Sequence, residues 1–268
     1  MTFHGALLPA GLGRGQDRWS ATDNIAVVLD GASSFTPSVA DAGAYVDMLL
    51  SSLMVNVSIN GIDLREALSK SILQCARGLA VPPIGGPSST VLIARQGAET
   101  FEILVLGDST AIVGTVDGSE VRLTDDRLGA IGTEIRERYR HRLRGGAGYD
   151  YVHAEMLREL QEVEKSRRNK PSGYWIAEAD PYAAVHAIVH SFRLEQASWC
   201  VLATDGAQRG MDHLGIAWAE VAEMSSGELG DLLARLHDWE ERADPSGVRL
   251  PRSKRHDDKT VVVWRPGR

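Results

Sequence analysis

Four runs of β-forming residues each begin or end on an aspartate, and that placement limits how the chain can fold. Asp30 follows Ile25–Leu29, Asp108 follows Ile103–Gly107, Asp205 follows Val201–Thr204, and Asp257 stands shortly before Val261–Trp264. An acidic residue at one strand end is ordinary. Four such ends brought to one side of a sheet gather carboxylates that repel one another unless cations lie between them. Hard oxygen ligands with no accompanying His or Cys cluster select magnesium or manganese over zinc or copper. The pattern therefore asks for an architecture that collects strand ends, and its chemistry points to phosphate.

The order of periodicities defines the rest of the fold. Ile25–Leu29 is a short apolar run stopped by Asp30-Gly31, the pattern of a buried strand. Residues 39–57 place Tyr45, Val46, Leu49, Leu50 and Leu53 at helical spacing, and residues 63–79 do so with Leu64, Ala67, Leu68, Ile72 and Ala76. Asp63 is the expected N-cap of the second helix, with Glu66 as its capping-box partner. Strand patterns then cover residues 89–95, 100–106, 110–116 and 120–123, with Asp117-Gly118 as a tight hairpin turn. Strand patterns return at 185–194 and 199–204, helices at 215–223 and 226–242, and a last strand at 260–264. A strand, two helices and four strands in succession imply segregated layers and a largely antiparallel sheet.

Between them, residues 127–180 are charged and helix-compatible, broken by Gly145-Gly146-Ala147-Gly148. The stretch reads either as a pair of solvated surface helices, which its composition favours, or as a lid over the site. No repeat or low-complexity linker divides the chain, so residues 1–268 read as a single domain carrying this insert. With 43% hydrophobic and 24% charged residues it is an ordinary globular composition. The net charge of -7 argues against a nucleic-acid partner. Cys75 and Cys200 lie far apart in apolar surroundings, as buried free thiols of a reducing compartment do, and no apolar run approaches the length of a membrane span. The expectation is a cytoplasmic, monomeric protein with no membrane partner.

Taken in order, Gln16-Asp17-Arg18, Leu29-Asp30-Gly31-Ala32, Gly86-Pro87-Ser88-Ser89-Thr90-Val91, Leu106-Gly107-Asp108-Ser109, Ala203-Thr204-Asp205-Gly206 and Asp257-Asp258-Lys259-Thr260-Val261 resemble the successive signatures of the metal-dependent type 2C protein phosphatases, in their bacterial form. Each fragment alone is common; six in family order over nearly the whole chain are not. The resemblance implies an α+β fold, a central antiparallel β-sandwich flanked by helices on both faces. It implies two manganese or magnesium ions, with Asp30 bridging them, the Gly31 carbonyl as a further ligand, Asp205 and Asp257 on one ion and Asp17 on the other, partly through water. Asp108 matches the residue that recruits a third ion in bacterial members. It further implies hydrolysis of phosphoserine or phosphothreonine on a protein substrate in a kinase-regulated pathway, with Asp30 and Asp205 acting through activated water.

The chain also departs from the family pattern. Gln16 stands where many members carry Glu, and Ala32 where animal members place a histidine acid. The arginine that grips substrate phosphate should precede Asp17; Arg14 is the nearest candidate, at shorter spacing than usual, with Arg18 as the alternative. Arg252, Lys254, Arg255 and His256 form a basic run before Asp257 that reads as a solvated loop or a phosphopeptide-attracting rim. Two other classes compete. A non-catalytic regulator or scaffold of the same fold would shed bridging ligands, which this chain keeps. A serine hydrolase of the Gly-Asp-Ser type would use Ser109 with His256 and a late Asp, but its motif normally lies near the start of a chain.

Overall fold

The computed structural model describes residues 3–32 and 41–266. Two five-stranded antiparallel sheets face each other. One has the order β1 (Phe3–Leu8), β10 (Lys259–Trp264), β9 (Ala197–Ala203), β6 (Thr110–Thr115), β7 (Glu120–Leu123). The other runs β2 (Arg18–Ala21), β3 (Ile25–Ala32), β4 (Ser88–Gln96), β5 (Thr100–Leu106), β8 (Ile188–Arg193). Strands buried on both faces read as continuous apolar runs, and β3 shows why. Its Ala26 and Val28 point between the sheets with Leu92, Ile103, Ala111, Leu202 and Val262, while Val27 and Leu29 point outward beneath helices.

Those helices are α1 (Ala42–Val57) and α2 (Leu64–Gly78), whose stripes Tyr45, Val46, Leu49 and Leu53, and Leu64, Leu68 and Ile72, cover the outer face of the second sheet. On the far side α5 (Asp205–His213), α6 (Trp218–Glu223) and α7 (Ser226–Arg242) bury Met211, Trp218, Leu229, Leu232 and Leu236 against Val201, Val261 and Val263 of the first sheet. The result is the four-layer α-β-β-α arrangement expected. The Val39 start expected for α1 lies outside the described residues.

Several elements differ from the sequence pattern. β1 has Gly5 in its middle, which hides a strand; the residue is glycine because a Cβ there would sit 2.5 Å from the Val261 carbonyl of β10. α5 carries two glycines, Gly206 and Gly210, which lower its helix propensity, yet Ala207 and Met211 pack it down. The strand expected from Val185 begins at Ile188, because Asp180 accepts the Tyr182 amide and Pro181 starts a short 3-10 turn, Pro181–His186. Asp63 caps α2 through the Arg65 and Glu66 amides, with no reciprocal bond from Glu66.

Residues 127–180 divide into two parts. α3 (Thr133–Arg144) and α4 (Tyr151–Arg167) form a helical hairpin with a small core of their own, Ile135, Tyr139, Leu143 and Leu160. Arg136 and Glu164 tie the two helices at 2.6 Å. The segment after α4 instead joins the main body: Trp175 and Ala177 pack with α1 and α2, Ala177 bridges to Ser89, and the buried pair Arg168–Glu178 lies at 2.9 Å. The hairpin's own ties to the body include His153 Nε2 and the Ser253 carbonyl, 2.8 Å apart.

Candidate metal centre

Five aspartates meet at one end of the sandwich because the topology puts five strand termini there. Asp17 precedes β2, Asp30 lies in the last turn of β3 opposite Thr90, Asp108 occupies the β5–β6 connection that passes from one sheet to the other, Asp205 starts α5 after β9, and Asp257 precedes β10. Their mutual repulsion is visible in their acidities. Asp30 is held well above the usual carboxylate range by burial and then by Asp17, Asp205, Asp257 and Asp108 together. Asp108 is pushed up to about 6 by burial and Asp205. Asp257 is raised by burial and Asp205.

Asp17 has a distinct environment. It is buried, and its Oδ2 accepts the hydroxyls of Thr204 and Thr260, each at 2.8 Å. Burial lifts its pKa to about 7 even against those two bonds. The Thr204 hydroxyl in turn accepts the Thr260 amide at 3.0 Å, so one carboxylate staples the ends of β9 and β10 to the start of β2. Asp258 does not join the cluster. Its oxygens accept the amides of Ala10 at 2.7 Å, Gln16, and Asp17 at 3.3 Å, which fixes the loop carrying Asp17. Neither threonine is distinguishable in sequence from an ordinary strand residue.

The backbone around Asp30 is equally fixed. Its amide donates to Thr90 Oγ1 at 3.3 Å and its carbonyl accepts Ser89 Oγ at 3.1 Å, while Thr90 Oγ1 meets Ser109 Oγ at 2.7 Å. Gly31 is required by close approach: a Cβ would lie 2.7 Å from the Gln16 carbonyl oxygen. No described residue donates a hydrogen bond to the Asp30 carboxylate itself.

Two cations border the cluster, and the sequence pattern singled out neither for it. Arg209 on α5 lies 3.1 Å from Asp205 and 4.0 Å from Asp108. Lys254 Nζ lies 2.9 Å from Asp257 Oδ1, and the charges of Asp257, Asp30 and Asp205 hold the ammonium above its ordinary range. The two cations leave the remaining carboxylates with excess negative charge. Among the described residues no three of the aspartates bring oxygens within 4.8 Å of one another, a compactness that His237, Glu240 and His256 do reach. A ligand set arranged around two ions is wider than a cage for one.

The histidine cluster has its charges met from within the protein. Glu240 Oε2 accepts the fully buried Lys259 at 2.8 Å and His256 Nδ1 at 2.9 Å, and His256 Nε2 meets Glu241 at 2.8 Å. It anchors the loop before Asp257 to α7. The same contacts remove the Gly-Asp-Ser hydrolase reading: Ser109 is buried against Thr90, and His256 turns away to α7.

Arg14 stands apart from the aspartates. It is 79% exposed, reaches Asp47 at 3.7 Å, and lines a depression with Arg18, Asp41 and Asp47 that contains none of the five. The main cleft, of about 1030 Å³, shares Gln16 with that depression; Ala32, Lys254 and Leu128 line it together with Arg138, Val152 and Glu155 of the α3–α4 hairpin.

The protein phosphatase 2C family profile matches residues 14–239. The chain belongs to that family. It is accordingly an enzyme of the serine/threonine protein phosphatase class. No curated protein matches the chain. Among solved structures, the serine/threonine phosphatase Stp1 from Staphylococcus aureus superposes with a TM-score of 0.60 at 14% identity, over 99% of this chain and 95% of that one. The Mycobacterium tuberculosis serine/threonine phosphatase PstP/Ppp gives 0.55 at 14% identity, over 99% and 98%. The catalytic domain of the phosphatase PstP in complex with two manganese ions gives 0.53 at 14% identity, over 98% and 96%. At such identities these likenesses concern the fold.

The raised pKa values have a measurable consequence. An unfolded chain releases these protons near pH 4, whereas the metal-free folded chain keeps those of Asp17 to about 7 and of Asp108 to about 6. The folded state therefore binds more protons across that window, and its stability falls as pH rises through it. His186 and His237, lowered by burial, act oppositely below about pH 6.5. Metal-free protein should thus melt a few degrees higher at about pH 6.5 than at about pH 8, and saturating manganese should abolish that difference; a metal-free melting point rising with pH over this interval would contradict it.

Proposed function

We propose that the chain hydrolyses phosphate monoesters, with phosphoserine and phosphothreonine on proteins as its substrates, at a centre of two manganese or magnesium ions. The observation that carries this reading is the convergence of Asp30, Asp205, Asp257, Asp108 and Asp17 at one sandwich end, with Lys254 and Arg209 as the cations paired with them among the described residues. The donor set fits the ions: all are hard oxygens, and the Asp30 carboxylate lacks a hydrogen-bond donor among the described residues. Asp30 would bridge the pair with the Gly31 carbonyl beside it, Asp205 and Asp257 would complete one shell, and Asp108 would serve a third ion. Asp17 has only Oδ1 left, since Thr204 and Thr260 occupy Oδ2; it would act from the outer shell, through water.

Bound there, divalent ions supply a water of lowered pKa and neutralise phosphoryl oxygens during in-line attack. The chain's part is positioning. Asp258 and the two threonines hold Asp17, the Thr90–Ser109 pair holds the Asp30 backbone, and Glu240 holds His256 and Lys259 on either side of Asp257. Ala32 offers no proton to the leaving alkoxide, so solvent in the open cleft must provide it. The α3–α4 hairpin, with its separate core, is the flap through which a phosphoprotein would be selected. The decisive test is hydrolysis of a generic aryl phosphate with and without manganese. Turnover that appears with manganese and disappears on chelation is expected; equal rates in both would overturn the reading.

A further inference from the structure

A phosphoryl group entering the cleft needs a protein cation that is both near the aspartates and free to move. Arg18 is not free: Nε is held by Asp47 at 2.6 Å and Nη1 by the carbonyls of Asp17 and Gly15 at 2.7 and 3.0 Å. Arg14 pairs with Asp47 at 3.7 Å and does not line the small pocket that holds Asp205 and Asp257. Arg209 is committed to Asp205 and Asp108. Lys254 is also paired with one aspartate, but it is the more exposed of the two cations at the cluster. Its ammonium touches Asp257, its side chain is 61% exposed, and it lines both the main cleft beside Gln16 and Ala32 and the small pocket beside Asp205 and Asp257.

We propose that Lys254 is the residue that grips the substrate's phosphate, the role that the sequence alone gave to Arg14. This rests on the phosphatase reading. In the resting site the ammonium neutralises Asp257. Once Asp257 is committed to a divalent cation, that ion pair weakens and like charge favours rotation of the flexible stem toward the cleft. A lysine ammonium is a compact charge with three donors on four rotatable carbons, suited to such a swing. The base of the stem does not move with it. Arg252, two residues earlier, is buried on Asp244 at 2.7 Å, and His256, two residues later, is held by Glu240 at 2.9 Å. A fixed backbone with a mobile tip lets one side chain serve Asp257 before, and a phosphoryl oxygen after, the site is loaded.

Lys254→Gln and Lys254→Arg in the full chain test the assignment. Inorganic phosphate is titrated calorimetrically into manganese-loaded protein, and aryl phosphate kinetics are measured alongside. Loss of one charged hydrogen bond should weaken phosphate binding and raise KM about tenfold in Lys254→Gln, with a much smaller change in kcat. Manganese affinity without phosphate should hold or tighten, because a competing cation is gone. Lys254→Arg should recover most of the phosphate affinity. A Lys254→Gln protein whose phosphate affinity and KM match wild type overturns the proposal, even if its manganese binding tightens. Wild type that takes up manganese but neither binds phosphate nor turns over aryl phosphate instead overturns the phosphatase reading on which it rests.

Discussion

Asp30→Asn will remove manganese-dependent turnover while leaving a folded protein that, without metal, melts higher than wild type. The two effects share one cause. Asp30 is the carboxylate whose acidity is disturbed by all four others, so it sits at the centre of the repulsion. Its amide, carbonyl and β3 pairing are backbone bonds that an asparagine keeps. Neutralising the side chain removes the cost of burying that charge among four other carboxylates, which should raise the metal-free melting point by a few degrees. Loss of the proposed bridging ligand should lower the rate about a thousandfold or more, since bound ions contribute several kcal/mol to such transition states. Melting curves with and without manganese, read beside aryl phosphate rates, check both halves. An active variant, or one destabilised without metal, would remove Asp30 from the centre.

The sandwich and its acidic end were legible in the sequence because both depend on pattern. Apolar runs ending in Asp-Gly or Gly-Asp give strands and their termini, and three- and four-residue spacing gives α1, α2 and α7. What was hidden depends on contact instead. β1 and α5 carry glycines where another backbone approaches, so their propensity is low at the points where their packing is tightest. Thr204 and Thr260 look like strand residues until β9 and β10 align them on Asp17. Lys254 belongs to a basic run whose members diverge: Arg252 faces Asp244, Arg255 pairs with Glu241, His256 faces α7, and only Lys254 of the run pairs with Asp257. Asp258, at the place where the family often has Asn, holds backbone amides and orders the loop, as the resemblance implied.

Gly206→Ala should cost more function than any other single methyl addition near the site. Gly206 follows Asp205 in the first turn of α5, and a Cβ there would lie 2.1 Å from the Asp258 carbonyl oxygen and 3.1 Å from Asp257 Cβ. The first obstacle is backbone, held in turn by Asp258's bonds to Ala10, Gln16 and Asp17 and by Lys259 on Glu240, so it cannot simply rotate aside. Relief must come from separating the start of α5 from the Asp257–Asp258 loop, which parts Asp205 from Asp257. Overpacking of this kind costs about 1–3 kcal/mol, and a shift of about 1 Å between catalytic groups lowers rates about a hundredfold. Gly210→Ala, one turn later, is the control: its Cβ would meet Leu236 Cδ2 at 3.3 Å, a side chain that can yield, and alanine favours the helix. Calorimetric manganese titration of both variants should show weakened binding only for Gly206→Ala. Wild-type manganese affinity and turnover in that variant would mean that the spacing of Asp205 and Asp257 does not set the metal site.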